Sequence, residues 1–230
     1  MRQMTLILIL ILAAGSVYAA PTAVIRGAVI RGAVIAPAVS VLADPCAGKN
    51  VGDVCPNGVL YAGTGFAGLG SYKYMTTPGN CSDFADNATP FTPTCDGTTD
   101  TLTKKWANNS GTTAYGVVTG VTSVTAGASN TTTLATNYTD TDAARYCENM
   151  VYPAGGYTDW YLPAKDELDL VLYGMQLAGK GNFEVSLAYY PSSTEYSSNS
   201  VWRESFNGGL QSHLGTKGGI SVVRCVRRYL

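Results

Sequence analysis

Apolar positions fall into distinct patterns along the 230-residue chain. Leu6 to Ala14 form an unbroken apolar run behind Arg2, and Val17-Tyr18-Ala19 supplies the small residues of a cleavage site. This layout predicts a secretory signal peptide over residues 1–19. The run is too short to cross a bilayer, which needs about 20 residues. Residues 20–44 then carry the unit Ala-Val-Ile-Arg-Gly at 23–27 and 28–32, with a degenerate copy from Ala33. A period of five matches neither a helix face nor a strand face. The segment reads as a tether. The alternative is a self-associating β segment guarded by Arg26 and Arg31. One domain is expected over 45–230.

Within it, Pro56-Asn57-Gly58 between two apolar stretches is a hairpin signal. Residues 64–139 are rich in Gly, Thr, Asn and Ser, with strand candidates at Tyr72–Met75 and Tyr115–Val124 and long loops between. Helical spacing recurs at Ala143, Ala144, Cys147, Met150 and Val151, predicting a helix over 142–151 capped by Asp140 or Thr141. A second helix is expected to open at Pro163 and present Leu168, Val171, Leu172 and Met175. Antiparallel strands follow at 201–206 and 210–214 around Asn207-Gly208-Gly209, then at 220–229. In that last strand Val222 and Val226 face one way and Val223 and Cys225 the other, so it is expected to be central and buried. Trp160, Leu162, Leu168 and Trp202 read as core.

Composition narrows the classes. Fifteen Lys and Arg against sixteen Asp and Glu exclude a duplex nucleic-acid binder, which needs surplus cations. Near-zero net charge with 10% aromatics excludes a disordered acidic tail. Fifteen Tyr against five Phe, with abundant small polar residues, is the palette of extracellular binding surfaces. No second long apolar segment follows the leader, so no transmembrane segment is expected. Six cysteines in an exported chain imply disulfides, with fifteen connectivities open. Sequence proximity favours Cys46–Cys55 and Cys81–Cys95, leaving Cys147 with Cys225. That last bond would close a loop of about 79 residues, worth roughly 4–5 kcal/mol in the chain-entropy model.

Gly156-Tyr157-Thr158-Asp159-Trp160-Tyr161-Leu162-Pro163-Ala164-Lys165-Asp166-Glu167-Leu168 resembles the signature of the Lcl C-terminal domain family, named for a bacterial collagen-like adhesin. Ser192-Ser193-Thr194-Glu195, Val201-Trp202, Phe206-Asn207-Gly208 and the run from Val223 to Arg228 resemble its later blocks in order. The likeness covers residues 140–230 and is loose before them, through Tyr61-Ala62-Gly63 and Thr76-Thr77-Pro78. Pro191 stands where the family commonly has Trp, and Tyr161 where it commonly has Arg. The resemblance implies an α+β domain of C-type lectin-like fold, two helices packed on an antiparallel sheet and stabilised by disulfides. It also implies an extracellular or cell-envelope location, bacterial origin, no catalysis, and binding to a glycan, including a sulfated one, or to a surface protein.

Two polar stretches mark the expected contact surface: Tyr196, Ser197, Ser198, Asn199 and Ser200, then Leu210, Gln211, Ser212, His213, Leu214, Thr216 and Lys217, with Tyr190 and Arg203 beside them. Small polar residues of this kind also resemble the variable proteins of diversity-generating retroelements. Arg203, Lys217, Arg224, Arg227 and Arg228 against Glu204 make the tail basic, which suits an anionic glycan. The competing expectation pairs Arg224, Arg227 and Arg228 with carboxylates of 140–169. Asp159, Asp166 and Glu167 read as turn and helix-start residues.

Other chemistry finds little support. Gly63-Thr64-Gly65-Phe66-Ala67-Gly68 fits a dinucleotide pattern but lacks the βαβ context. His213 is the single histidine and has no nucleophile motif beside it. Asp83, Asp86, Asp96 and Asp100 do not make a calcium loop. Sequons at Asn80, Asn87, Asn108, Asn130 and Asn137 matter only in a glycosylating host. No cofactor or metal is expected. The alternatives are an enzyme related to formylglycine-generating proteins, using cysteine thiols, or a structural envelope protein.

Overall fold

Alternation along one small sheet divides the interior into two cores. The computed structural model describes residues 44–84, 89–186 and 189–230, so the leader and most of the tether lie outside the described residues. Strands β1 (Leu60–Thr64), β2 (Lys73–Thr76) and β8 (Val226–Tyr229) pair antiparallel in the order β1-β2-β8. Because successive side chains point to opposite faces, Val59, Tyr61 and Met75 enter one core with Trp106, Trp160 and Leu162. Leu60, Ala62 and Tyr74 enter the other with Leu168, Tyr190 and Phe206.

The remaining strands form two further antiparallel sheets. β3 (Thr103–Lys105) pairs with β7 (Ile220–Val222). β4 (Tyr189–Glu195), β5 (Ser200–Ser205) and β6 (Leu210–Thr216) form a meander in the order β4-β5-β6. The β5–β6 turn uses Gly208 and Gly209 at φ of 105° and 71°, the left-handed region open to glycine.

The single strand expected over 220–229 is instead two. Residues 223–225 carry the chain from the β3–β7 sheet to the β2–β8 sheet. At the switch Arg224 turns inward to pair with Asp100 at 2.7 Å and donates to the carbonyls of Thr77 and Gly181. The facial reading survives the break: Val222 and Val226 enter one core, Val223 and Cys225 the other.

Among the described residues there are three helices where the sequence predicts two. α1 (Gly127–Asn137) is a Thr- and Asn-rich segment of weak helix propensity that buries Gly127, Asn130, Thr131 and Leu134. Its buried polar groups are satisfied locally, Thr131 donating to the Leu162 carbonyl and accepting from the Leu162 amide, both at 3.1 Å. α2 (Asp142–Glu148) ends before the expected Val151. The Thr141 hydroxyl donates back to the Leu134 carbonyl of α1 rather than capping α2. α3 runs from Lys165–Glu167 through a π-helical Leu168–Tyr173 to Gly174–Leu177, two residues later than the Pro163 start.

No strand forms over Tyr115–Val124. That backbone serves a buried ion pair instead, described below. All three expected disulfides are present, Cys46–Cys55, Cys81–Cys95 and Cys147–Cys225. The last ties α2 to the link between β7 and β8, across 78 residues of sequence. Among the described residues no helix is long and apolar enough to cross a membrane.

Candidate functional site

The most distinctive surface lies on the β5–β6 hairpin. Trp202 and Glu204 are two residues apart on β5 and share a face, as do Gln211 and His213 on β6. A bulge between Val201 and Arg203 places Trp202 against the His213–Leu214 region. Three rings meet there. Tyr196 stacks at a tilt on His213 with centroids 4.3 Å apart, and Trp202 stands edge-on to both, at 5.6 Å from Tyr196 and 5.5 Å from His213. Tyr196 is 52% exposed, and Leu214 beside the cluster is 69% exposed. The Lys165 ammonium at the start of α3 lies 5.2 Å from the Trp202 ring centroid, an attraction of the cation to the ring quadrupole.

The turn that presents Tyr196 is pinned from both sides. Ser197 and Ser200 share a hydroxyl hydrogen bond at 2.7 Å, and the Tyr196 amide donates to the Ser200 carbonyl. The Lys217 amide donates to the Asn199 carbonyl and the Gly116 amide to that of Ser198. Beneath the turn Lys217 and Glu195 form an ion pair at 2.5 Å with essentially no solvent exposure. The Lys217 ammonium also donates to the carbonyls of Ala114 and Val117, while Glu195 accepts from the amides of Thr119 and Gly120. These contacts consume the backbone groups of 114–120 that a strand would have used. Burial works against ionising Glu195, but the Lys217 ammonium and the two amides hold its carboxyl below the usual range.

The expected contact residues separate accordingly. Tyr196, Asn199, Leu210, Leu214 and Thr216 are exposed, and Ser197, Ser198, Ser200, Arg203, Gln211, Ser212 and His213 are partly so. Two sit inside. Tyr190 is buried in the second core, its hydroxyl donating to Asp100 and accepting from the Glu184 amide. Lys217 is committed to Glu195. Arg203 lies on the other side of β5 from Trp202, its guanidinium 3.8 Å above the Tyr189 ring.

Trp202, expected in the core, is only partly buried and is the centre of the ring cluster. Strand parity gives no sign of this, because Glu204 and Phe206, which share its parity, are fully buried. Lys165 also joins the site, and only the tertiary placement of α3 brings it there.

The basic tail is largely neutralised. Arg227 pairs with Asp159 at 2.7 Å, Arg228 lies 3.6 Å from Glu167, and Arg224 chooses Asp100 rather than a carboxylate of 140–169. With Lys217 also paired, Arg203 is the tail cation left for an external anion. Glu167, read as a helix-start residue, is fully buried and accepts from the Gly127 and Ala164 amides and the Tyr161 hydroxyl.

Among the described residues no group of three or more His, Cys, Asp or Glu is placed to hold a metal ion. The six cysteines are all bonded, leaving no thiol. No family model matches the chain, and no curated protein matches it.

Proposed function

We propose that this chain is an exported recognition module of the Lcl C-terminal-domain kind, with C-type lectin-like architecture, that binds a glycan or a surface protein through the β5–β6 hairpin. The observation that carries the reading is the Tyr196–Trp202–His213 cluster. Large rings with polar edges, set on a hydrogen-bonded hairpin, bury contact area with little loss of conformational freedom. Ser197, Ser200, Gln211 and Ser212 supply hydrogen-bonding groups around it. Support for the architecture comes from helices packed against antiparallel sheets and from the bond between α2 and the closing segment. Disulfides belong to an oxidising compartment, which fits export by the leader.

The ligand is proposed as neutral or weakly charged. A sulfated glycan would meet Arg203 and Lys165 on separate faces, too few cations for a polyanion site. The formylglycine-type alternative needs a thiol, and each cysteine is in a disulfide.

The test is an array of glycans and surface proteins probed with the native chain, Trp202→Ala and Arg145→Ala. Binding that falls at least tenfold in Trp202→Ala, persists in Arg145→Ala and survives a chelator supports the proposal. Binding that is indifferent to Trp202, or turnover of a substrate, refutes it.

A further inference from the structure

Helix α3 and strand β5 meet in a regular register. One turn of helix and two residues of strand advance by comparable distances, about 5–7 Å, so side chains at those intervals can face each other repeatedly. They do so three times. Lys165 lies over Trp202, Asp169 faces Glu204, and the Tyr173 and Phe206 rings are 5.5 Å apart. The middle pair is two carboxyls. Glu204 has no solvent exposure, and its carboxyl oxygens find no partner beyond the Asp169 and Gln211 side chains that face them. The helix is π-helical over Leu168–Tyr173, where Asp169 sits, a distortion frequent at functional positions.

We propose that the Asp169–Glu204 pair is a proton-dependent clasp that seats α3 on the recognition hairpin, tight when the pair carries one negative charge and loosened when it carries two. This deepens the recognition reading and rests on it only for the link to ligand. Glu204 is faced from α3 by Asp169 and Lys165, the latter already paired with Asp166 at 3.2 Å. From β6 it is faced by uncharged Gln211, and on β4 its register partner is Tyr190, whose phenol is engaged with Asp100. Lys165 is thus the cation that faces the pair among the described residues, and it is shared with Asp166 and the Trp202 ring.

Burial first, and then the neighbouring Asp169 carboxylate, push Glu204 up to about 8 from an ordinary 4.5. Between those values the closed state holds a proton that the open state has released. Opening therefore becomes easier by up to about tenfold per pH unit through that window and levels off above it. A release of α3 would move Lys165 off the Trp202 ring and Gln211 off the Lys165 carbonyl it holds at 3.3 Å.

The experiment is amide hydrogen exchange of the 165–177 segment in the disulfide-intact chain from pH 5 to 9.5, corrected for intrinsic rates. It compares native protein with Glu204→Gln and Asp169→Asn. The expected result is exchange that rises with pH in the native chain and levels near pH 8, is flat in Glu204→Gln, and levels at lower pH in Asp169→Asn. Native exchange without pH dependence, or an equal dependence in Glu204→Gln, overturns the clasp. Ligand affinity, measured with an array hit, should fall across the same window in native protein only. Pure exchange behaviour with pH-independent binding would overturn the link to recognition and leave the clasp standing.

Discussion

Lys217 and Glu195 illustrate how single residues set the recognition surface from below. Desolvating two charges costs several kcal/mol each, and their attraction offsets this only when remaining donors and acceptors are filled. Here they are filled, by two carbonyls for the ammonium and two amides for the carboxylate. Removing one partner strands the other. Lys217→Met should lower unfolding free energy by about 3–5 kcal/mol in a urea titration, and adding Glu195→Gln should recover part of that loss. The depressed Glu195 carboxyl also fixes a sign. Its stabilisation is complete above the ordinary glutamate range and is lost as pH falls through its folded value. Acid unfolding of the native chain should therefore steepen below about pH 4.5, and Glu195→Gln should flatten that limb. Lys217 reads as a contact residue in the sequence, because charge and position alone carry no sign of burial.

Elements were legible where side-chain spacing followed one rule and obscure where backbone bonding or small-residue packing decided. The alternating Val222, Val223, Cys225 and Val226 announced two buried faces, and both are occupied. α1 was missed because it buries Gly, Asn and Thr rather than an apolar stripe. Its Gly127 is there for closeness: a Cβ would lie 2.3 Å from the Glu167 carboxylate and 2.6 Å from the Ala164 amide nitrogen. Gly127→Ala should therefore cost about 1–3 kcal/mol despite its better helix propensity, measured by the shift in urea midpoint. The Cys147–Cys225 bond joins α2 to the segment where the chain changes sheets. Replacing both cysteines with Ala should cost roughly 4–5 kcal/mol by the chain-entropy estimate. The shorter Cys46–Cys55 bond, closing nine residues of separation, should matter less.

Across the whole molecule, one arrangement explains why the polar hairpin can be given over to contact. Two cores flank the β1-β2-β8 sheet, the Cys147–Cys225 bond ties α2 to the segment that leads into β8, and Arg224, Arg227 and Arg228 are spent on carboxylates of this chain. The interior thus needs little from Tyr196, Trp202 or His213. That division was half visible in the sequence. The cysteine pairs and the polar hairpin could be read from spacing and composition. The interior positions of Tyr190 and Lys217, and the surface position of Trp202, depend on how α3 and the 114–120 loop lie against the sheet, which no local pattern encodes. The most direct test of the account is chemical-shift mapping of the disulfide-intact chain during titration with a hit from the array. Perturbations centred on Tyr196, Trp202, His213 and the 197–200 turn are predicted. A hairpin that stays silent while shifts gather at the groove lined by Asp83, Lys105, Asn108, Asp142 and Ile220 would contradict it.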